Sequence, residues 1–404
     1  MMVNSLIRIL SNKRAYAIIL GVIAIVVTTQ EYLLHYFNNF IIFIQSFPHL
    51  IHHQNLYIPY PKEYGDVFLY SPTFALFMAP FYYLPAWLSL AVWTSINCFA
   101  IYFALTMLPG VDSRKRILIF LIIVMELVTS LQNTQTSAML AAFMALAFIF
   151  FERKKVFWAA FFIVLASFIK VYCLAAAVLF FLYPRRAGFI LYMVLWTVIF
   201  AILPVIVIPF KQLVIQYQNW LEQILAVHKS EDTGINPNLI KPPLSVMGWL
   251  KTWFHLNPPA IYIQSCGLVL LLLPLFRFRL YKDLRFKYFL LSSVLIFCMI
   301  FNHIAESPSY IIAVLGVAIW FAWEKKNAIS WILMVLAFVF TVILATDIFP
   351  EYIRHNYGIP YVWKAVPCIL IWFWIQYRML CTRDFEIEFK QKPLLGAEAL
   401  KDEN

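Results

Sequence analysis

A chain of 404 residues would ordinarily fill two or three soluble domains, but hydrophobic residues make up 63% of this one and charged residues only 13%. An ordinary globular domain has roughly 45–50% and about 25%. With a mean hydropathy of +0.80, most of the chain must have lipid as its solvent, which excludes disorder, a collagen-like rod and a secreted disulfide scaffold together. The net charge of +11 does not read as a nucleic-acid footprint, because the basic residues sit in short clusters between apolar runs, as in cytoplasmic loops. The six cysteines show no paired spacing, so neither a zinc site nor a disulfide framework is signalled.

Lys13 and Arg14 precede a first apolar run, 15–29, that lacks a small-residue cleavage site and reads as a retained signal anchor. Further runs occupy 72–84, 86–108, 117–131, 136–151, 156–183, 187–209, 260–276, 288–301, 309–323, 328–346 and 361–380. They predict an all-α fold: a polytopic transmembrane helical bundle of about 10–12 membrane helices, with re-entrant segments and interfacial outer helices. The clusters at 114–116, 153–155, 185–186, 277–287 and 325–326, with both termini, place 23 of the 31 basic residues in the cytoplasm. Seven remain opposite, and Lys170 lies within the membrane. This predicts Asn133, Asn302 and Asp347 outside and Lys154, Asp283 and Lys325 inside. Residues 1–380 are expected to form the membrane domain, with extracytoplasmic segments 31–70 and 211–259, and 381–404 a cytoplasmic tail.

Two runs do not fit simple spanning. Pro72 and Pro85 isolate a stretch too short for the ~20 residues of a full span, so it reads as a re-entrant or outer-leaflet helix. The run 156–183 begins and ends beside cytoplasmic clusters and carries Lys170 at its middle. It reads as a hairpin whose tip brings an ammonium toward the outer face, a depth tolerated only around a polar cavity. The outer segments suit amphipathic interfacial helices near residues 40–51 and 245–255.

Polar groups at the span ends are the functional candidates. Lys170 suits a phosphate as counter-ion; the other reading is a structural ion pair, with Glu126 as the partner. Gln132, Asn133 and Gln135 offer amide donors and acceptors for a hydroxyl-rich ligand. His303 and Glu306, three apart, share a face if their segment is helical, as an acid–base pair or hydroxyl-binding group. In the first outer segment, Asp66 precedes the turn into the membrane and Glu31 ends the first span, whereas Glu63 reads as a solvated loop charge.

The stretch from Asn55-Leu56-Tyr57 through Tyr70-Ser71-Pro72-Thr73-Phe74 to Pro80 and Pro85 resembles glycosyltransferase family 87, of the GT-C superfamily. Gln135-Thr136-Ser137 is similar to a Gln-x-Asn element of that family. Lys170 matches the basic position of its Lys-x-x-Pro, with Cys173 in place of the proline. The resemblance covers roughly residues 30–320. It departs where the family carries an acidic residue after the first span, since the corresponding position here is Asn39, and an amide takes no proton at neutral pH.

The resemblance implies a hexosyltransferase, with mannose the first expectation, in the plasma (inner) membrane with cytoplasmic termini. The donor would be a polyprenyl-phosphate-linked sugar and the acceptor a cell-envelope glycan or glycolipid on the extracytoplasmic side, in a single inverting displacement. No cofactor, metal or nucleic acid is expected. Lys170 would neutralise the phosphate, with Asn38, Asn39, Tyr70, Gln132, Asn133, Gln135, His303 and Glu306 as further substrate-binding residues. Segment 31–70 would roof the site and supply the base, Asp66 or alternatively Glu31, and a lateral groove would take the polyprenyl tail. A transporter or flippase, or a polymerase or ligase of lipid-linked glycans, shares the same composition. No internal repeat of the transporter kind is found.

Overall fold

The structure, a computed structural model, describes residues 11–184, 186–233 and 242–382, with the backbone alone at 186 and 228–233. In chain order the helices are α1 (Lys13–Leu34), α2 (Asn38–Ile51), α3 (Pro72–Phe77), α4 (Ala79–Tyr83), α5 (Ala86–Met107), α6 (Ser113–Gln132), α7 (Ser137–Glu152) and α8 (Val156–Ile169). A 3₁₀ arm, Val171–Leu182, follows, then α9 (Arg186–Ile202), α10 (Phe210–Thr233), α11 (Val246–Trp253) and α12 (Ala260–Leu272). The last are α13 (Leu284–Ile300), α14 (Ile311–Trp323), α15 (Ala328–Leu336) and α16 (Val366–Cys381). The described residues contain no strand, as expected of a polytopic helical membrane protein. Among the described residues, four stretches are long and apolar enough to cross a bilayer: Lys13–Leu34, Ala86–Met107, Ala187–Ile206 and Ala328–Ala345.

The core is built from shorter helices. α13 and α14 are buried on almost every face, the pattern of helices with no polar side to show. They approach so closely that a Cβ on Gly316 would stand 2.8 Å from the Ser292 carbonyl oxygen. Helix α7 presents Ala138, Ala141, Ala142, Ala145 and Ala147, all fully buried. Small residues let backbones pack closely where apolar burial alone gives helices no reason to associate.

The run 156–183 is the expected hairpin, broken at Lys170. That residue is extended (φ −137, ψ 117) and closes α8, its N–H donating to Ala166 at 2.8 Å. The return is seen in the far ends: Tyr183, beyond the arm, donates to Glu152 Oε1 at 2.5 Å and stacks on Phe151 at 4.9 Å, just before α8 begins. The two arms match in length. Fourteen α-helical residues rise ~21 Å at 1.5 Å each, and twelve 3₁₀ residues rise ~24 Å at 2.0 Å each. A 3₁₀ run of that length is uncommon.

Pro72–Pro85 likewise forms no span. It folds into α3 and α4, joined at Met78. Ser71 caps α3, with Pro72 at the first turn, where a missing N–H costs nothing. The same Ser71 hydroxyl donates to the Phe168 carbonyl at 2.5 Å, two residues before the hairpin tip. The Tyr-Ser-Pro element thus docks the roof onto the hairpin.

The loops collect at two poles. At one, Asn39 donates to the Asn133 carbonyl (3.0 Å), Trp93 to Thr134 (3.1 Å) and Leu244 N to Ala305 (3.0 Å). This is the Lys170 pole. At the opposite, basic pole Lys287 pairs with Glu152 at 2.7 Å, and Arg285 and Arg378 each lie 3.3 Å from the buried Glu324. Asn133, Asn302 and the hairpin tip therefore share one end, and Asp283 and Lys325 the other. The expected tail lies outside the described residues from 383 onward.

Candidate functional site

Segment 52–71 is held as a roof by its own side chains. Asn55 Oδ1 accepts from Tyr57 N (2.9 Å), Tyr60 donates back to the Asn55 carbonyl (2.8 Å), and Tyr57 donates to the Tyr70 carbonyl (3.0 Å). Tyr70 is thereby set against Phe74, stacked at 4.7 Å, and edge-on to Phe43 at 5.0 Å. Its phenol lies beside the Thr136 hydroxyl and the Lys170 ammonium, whose Nζ is 5.8 Å from the ring centroid. Lys170 has no ion-pair partner among the described residues, and Glu126 is not its counter-ion.

Glu126 pairs instead with Lys364 at 2.8 Å, both side chains almost fully buried. A charge in low dielectric needs the nearest opposite charge and further hydrogen bonds. Lys364 supplies both, donating also to the Ser307 carbonyl (3.2 Å) and hydroxyl (2.9 Å). Nothing in the sequence singled out Lys364, which stands 238 positions from its partner.

Between His303 and Glu306 the chain is turn and extended backbone, not helix, so their three-residue spacing does not place them on one face. His303 Nδ1 lies 3.4 Å from Gln264 Nε2. Glu306 is exposed, yet its carboxylate is near enough to Tyr70 and Tyr172 for its charge to act on both phenols. The loop is pinned on three sides: by Lys364 on Ser307, by Ser137 Oγ on Ser309 Oγ (3.1 Å), and by Leu244 N on Ala305.

Around this point Gln135 Oε1 and Tyr172 OH are enclosed with no hydrogen-bond partner among the described residues, and the Thr136 hydroxyl faces the Tyr70 phenol. Buried polar atoms are nearly always satisfied, so the two unpartnered ones near a lysine without an ion pair are groups that a polar ligand can complete. Thr136 and Tyr172 were not among the expected site residues, although both adjoin motif positions.

The other candidates are placed differently. Gln132 donates to Gln30 at 3.2 Å, and Gln132 and Asn133 line a separate hollow of about 390 Å³ with Thr129, Thr346 and Asp347. Asn38 Oδ1 accepts from Gly65 N at 3.1 Å and the Asn39 amide bridges to Asn133, so both tie α2 to its neighbours. Asp66 is exposed on the roof, its Oδ1 accepting from the next residue's N–H at 2.7 Å. Glu31 is buried, one turn before the end of α1, which runs on to Leu34. An apolar groove of about 720 Å³ runs beside the hairpin between α5, α7 and α8, lined by Leu88, Phe99, Phe103, Phe143, Phe150 and Phe162.

Glu63 is not a free loop charge. Its Oε2 lies 3.0 Å from His49 Nε2, and the His49 ring stacks on Tyr60 at 3.9 Å. Burial pushes the His49 pKa below its ordinary 6.5, against a smaller upward pull from Glu63. The folded state thus resists protonation of His49. Its contribution to stability is complete above the unfolded histidine's value and is lost as pH falls through the lowered one. The unfolding midpoint is expected to hold steady through the neutral range and to decline in acid below the ordinary histidine value, with part of that decline missing in His49→Gln. Melting curves for the two proteins across that range check this; parallel declines would remove His49 as a cause.

The sequence model of glycosyltransferase family 87 matches residues 68–301, more than half of the chain and the part that contains the roof's end, the hairpin and α13. Comparison with curated proteins returns no match.

Proposed function

The chain belongs to glycosyltransferase family 87 and is therefore an enzyme that transfers glycosyl groups, and from that premise we propose that its donor is a polyprenyl-phosphate-linked hexose, mannose first. The acceptor is a cell-envelope glycan or glycolipid, and the reaction takes place at the Lys170 pole, on the extracytoplasmic side. One observation carries the reading: the hairpin holds Lys170 beside Tyr70 and near enclosed polar atoms, with neither an ion pair for the lysine nor partners for those atoms among the described residues. A lipid-borne phosphate supplies the missing negative charge and an acceptor for the Tyr172 hydroxyl, and a sugar hydroxyl supplies the donor that Gln135 Oε1 lacks. The apolar groove between α5, α7 and α8 suits the polyprenyl chain, and the 23-to-7 split of basic residues supports the orientation.

In this reading the ammonium of Lys170 faces the phosphate and stabilises the charge that grows on it as the sugar carbon–oxygen bond breaks. An acceptor hydroxyl enters from the opposite face of the sugar, so the configuration inverts. The roof from Asn38 to Tyr70 keeps water from the bond being broken. The protein's own cation serves where nucleotide-sugar donors need a metal, and no cofactor is required.

Purified chain in liposomes, offered radiolabelled polyprenyl-phosphate mannose, polyprenyl-phosphate glucose or the corresponding nucleotide sugars with a membrane glycolipid fraction, tests this. Transfer is expected from a lipid-linked donor and not from the nucleotide sugars. Transfer from a nucleotide sugar alone would refute the donor assignment.

A further inference from the structure

We propose that Glu306 takes the proton of the acceptor hydroxyl, and that Lys364, anchored on Glu126, is the positioning residue that holds it at the Lys170 pole. The proposal rests on the donor reading above and deepens it. In the step, the acceptor oxygen forms the new bond to the sugar carbon while the bond from that carbon to the phosphate oxygen breaks. The electron pair of the broken bond leaves on the polyprenyl phosphate beside Lys170, and the hydroxyl proton goes to the Glu306 carboxylate.

The other carboxylates at this pole are occupied or remote. Glu63 is held by His49, Glu126 by Lys364, and Asp347 by Arg354 at 3.1 Å. Asp66 has an oxygen turned onto its own backbone, and Glu31 is enclosed within α1. Position 39 offers an amide whose donor is committed to the Asn133 carbonyl, a bond that an aspartate could not make. Glu306 enters the loop whose Ser309 hydroxyl meets that of Ser137 at 3.1 Å, beside Thr136 and the Tyr70 phenol, and its charge reaches the Tyr70 and Tyr172 phenols. Its backbone is extended, at the entry to the 3₁₀ turn Ser307–Ser309.

The clamp explains how an exposed side chain keeps its aim. Lys364 grips the residue after Glu306 twice, through the Ser307 carbonyl and hydroxyl, and its third hydrogen bond goes to the buried Glu126. Rotation of the loop would strip the buried ammonium of both its bonds to Ser307, leaving it only Glu126 in low dielectric.

The test uses the full chain, with the two radiolabelled polyprenyl-phosphate donors and the membrane glycolipid fraction. Glu306→Gln keeps the shape and is expected to lower kcat by about 100-fold or more with donor binding unchanged. The double variant Glu126→Gln with Lys364→Met, which removes both buried charges, is expected to lower kcat with donor KM unchanged. Added to Glu306→Gln it should cost nothing further, since it acts through that carboxylate; a multiplicative loss would make Lys364 merely structural. Near-normal turnover in Glu306→Gln, with the loss appearing in Asp66→Asn or Glu31→Gln instead, overturns the assignment and leaves the donor reading intact. Wild-type inactivity with both lipid-linked donors overturns the donor reading and the assignment with it.

Discussion

Lys170→Ala is expected to abolish transfer while leaving the protein folded and inserted. The ammonium has no counter-ion among the described residues and lies beside the Tyr70 phenol, its Nζ 5.8 Å from the ring centroid. Its removal therefore leaves no buried charge behind, and α8 still ends at the extended residue that turns into the 3₁₀ arm. The cost falls on the reaction. A fixed charge aimed at a developing anion in a water-poor site is worth about 10²–10³-fold or more in kcat when deleted. Lys170→Arg keeps the charge on a larger planar group and should recover only part of the rate. Turnover with a polyprenyl-phosphate donor, read beside thermal unfolding of the same preparations, checks both halves. An alanine variant with near-normal turnover would return Lys170 to a structural role.

Lys364→Ala should fail in the opposite way, through stability. Glu126 would then keep a carboxylate buried without its cation, and one of its oxygens already lacks a hydrogen-bond partner among the described residues. Removing one member of a buried pair costs about 3–5 kcal/mol, whereas replacing both members with neutral groups is often close to neutral. The unfolding midpoint should therefore drop sharply in Lys364→Ala and recover most of the way in Glu126→Gln with Lys364→Met. Equal midpoints in all three proteins would show that the pair carries no such load. The two lysines thus predict opposite phenotypes: loss of rate with the fold kept for Lys170, and loss of the fold's stability for Lys364.

What the sequence alone could establish followed from properties that are local in the chain. Apolar runs and their basic borders marked the polytopic helical bundle, because the cost of exposing peptide groups to lipid is met within each helix. Pro72 and Pro85 delimited a segment too short to span. A lysine midway between two cytoplasmic borders implied the hairpin, and the ordered Tyr-Ser-Pro, Gln-Thr-Ser and Lys170 elements pointed to the family. Partnership was another matter. That Glu126 belongs to Lys364, 238 residues away, that Glu63 belongs to His49, and that Gln132 and Asn133 line a hollow apart from Lys170 were decided only when the helices packed. Charge pairing depends on separations of a few ångströms, and spacing along the chain carries that information only within one helix. The same limit applies to His303 and Glu306, which share a face only in a helix: loop 301–310 takes its shape instead from Lys364, Ser137 and Leu244, contacts that no local pattern in the sequence encodes.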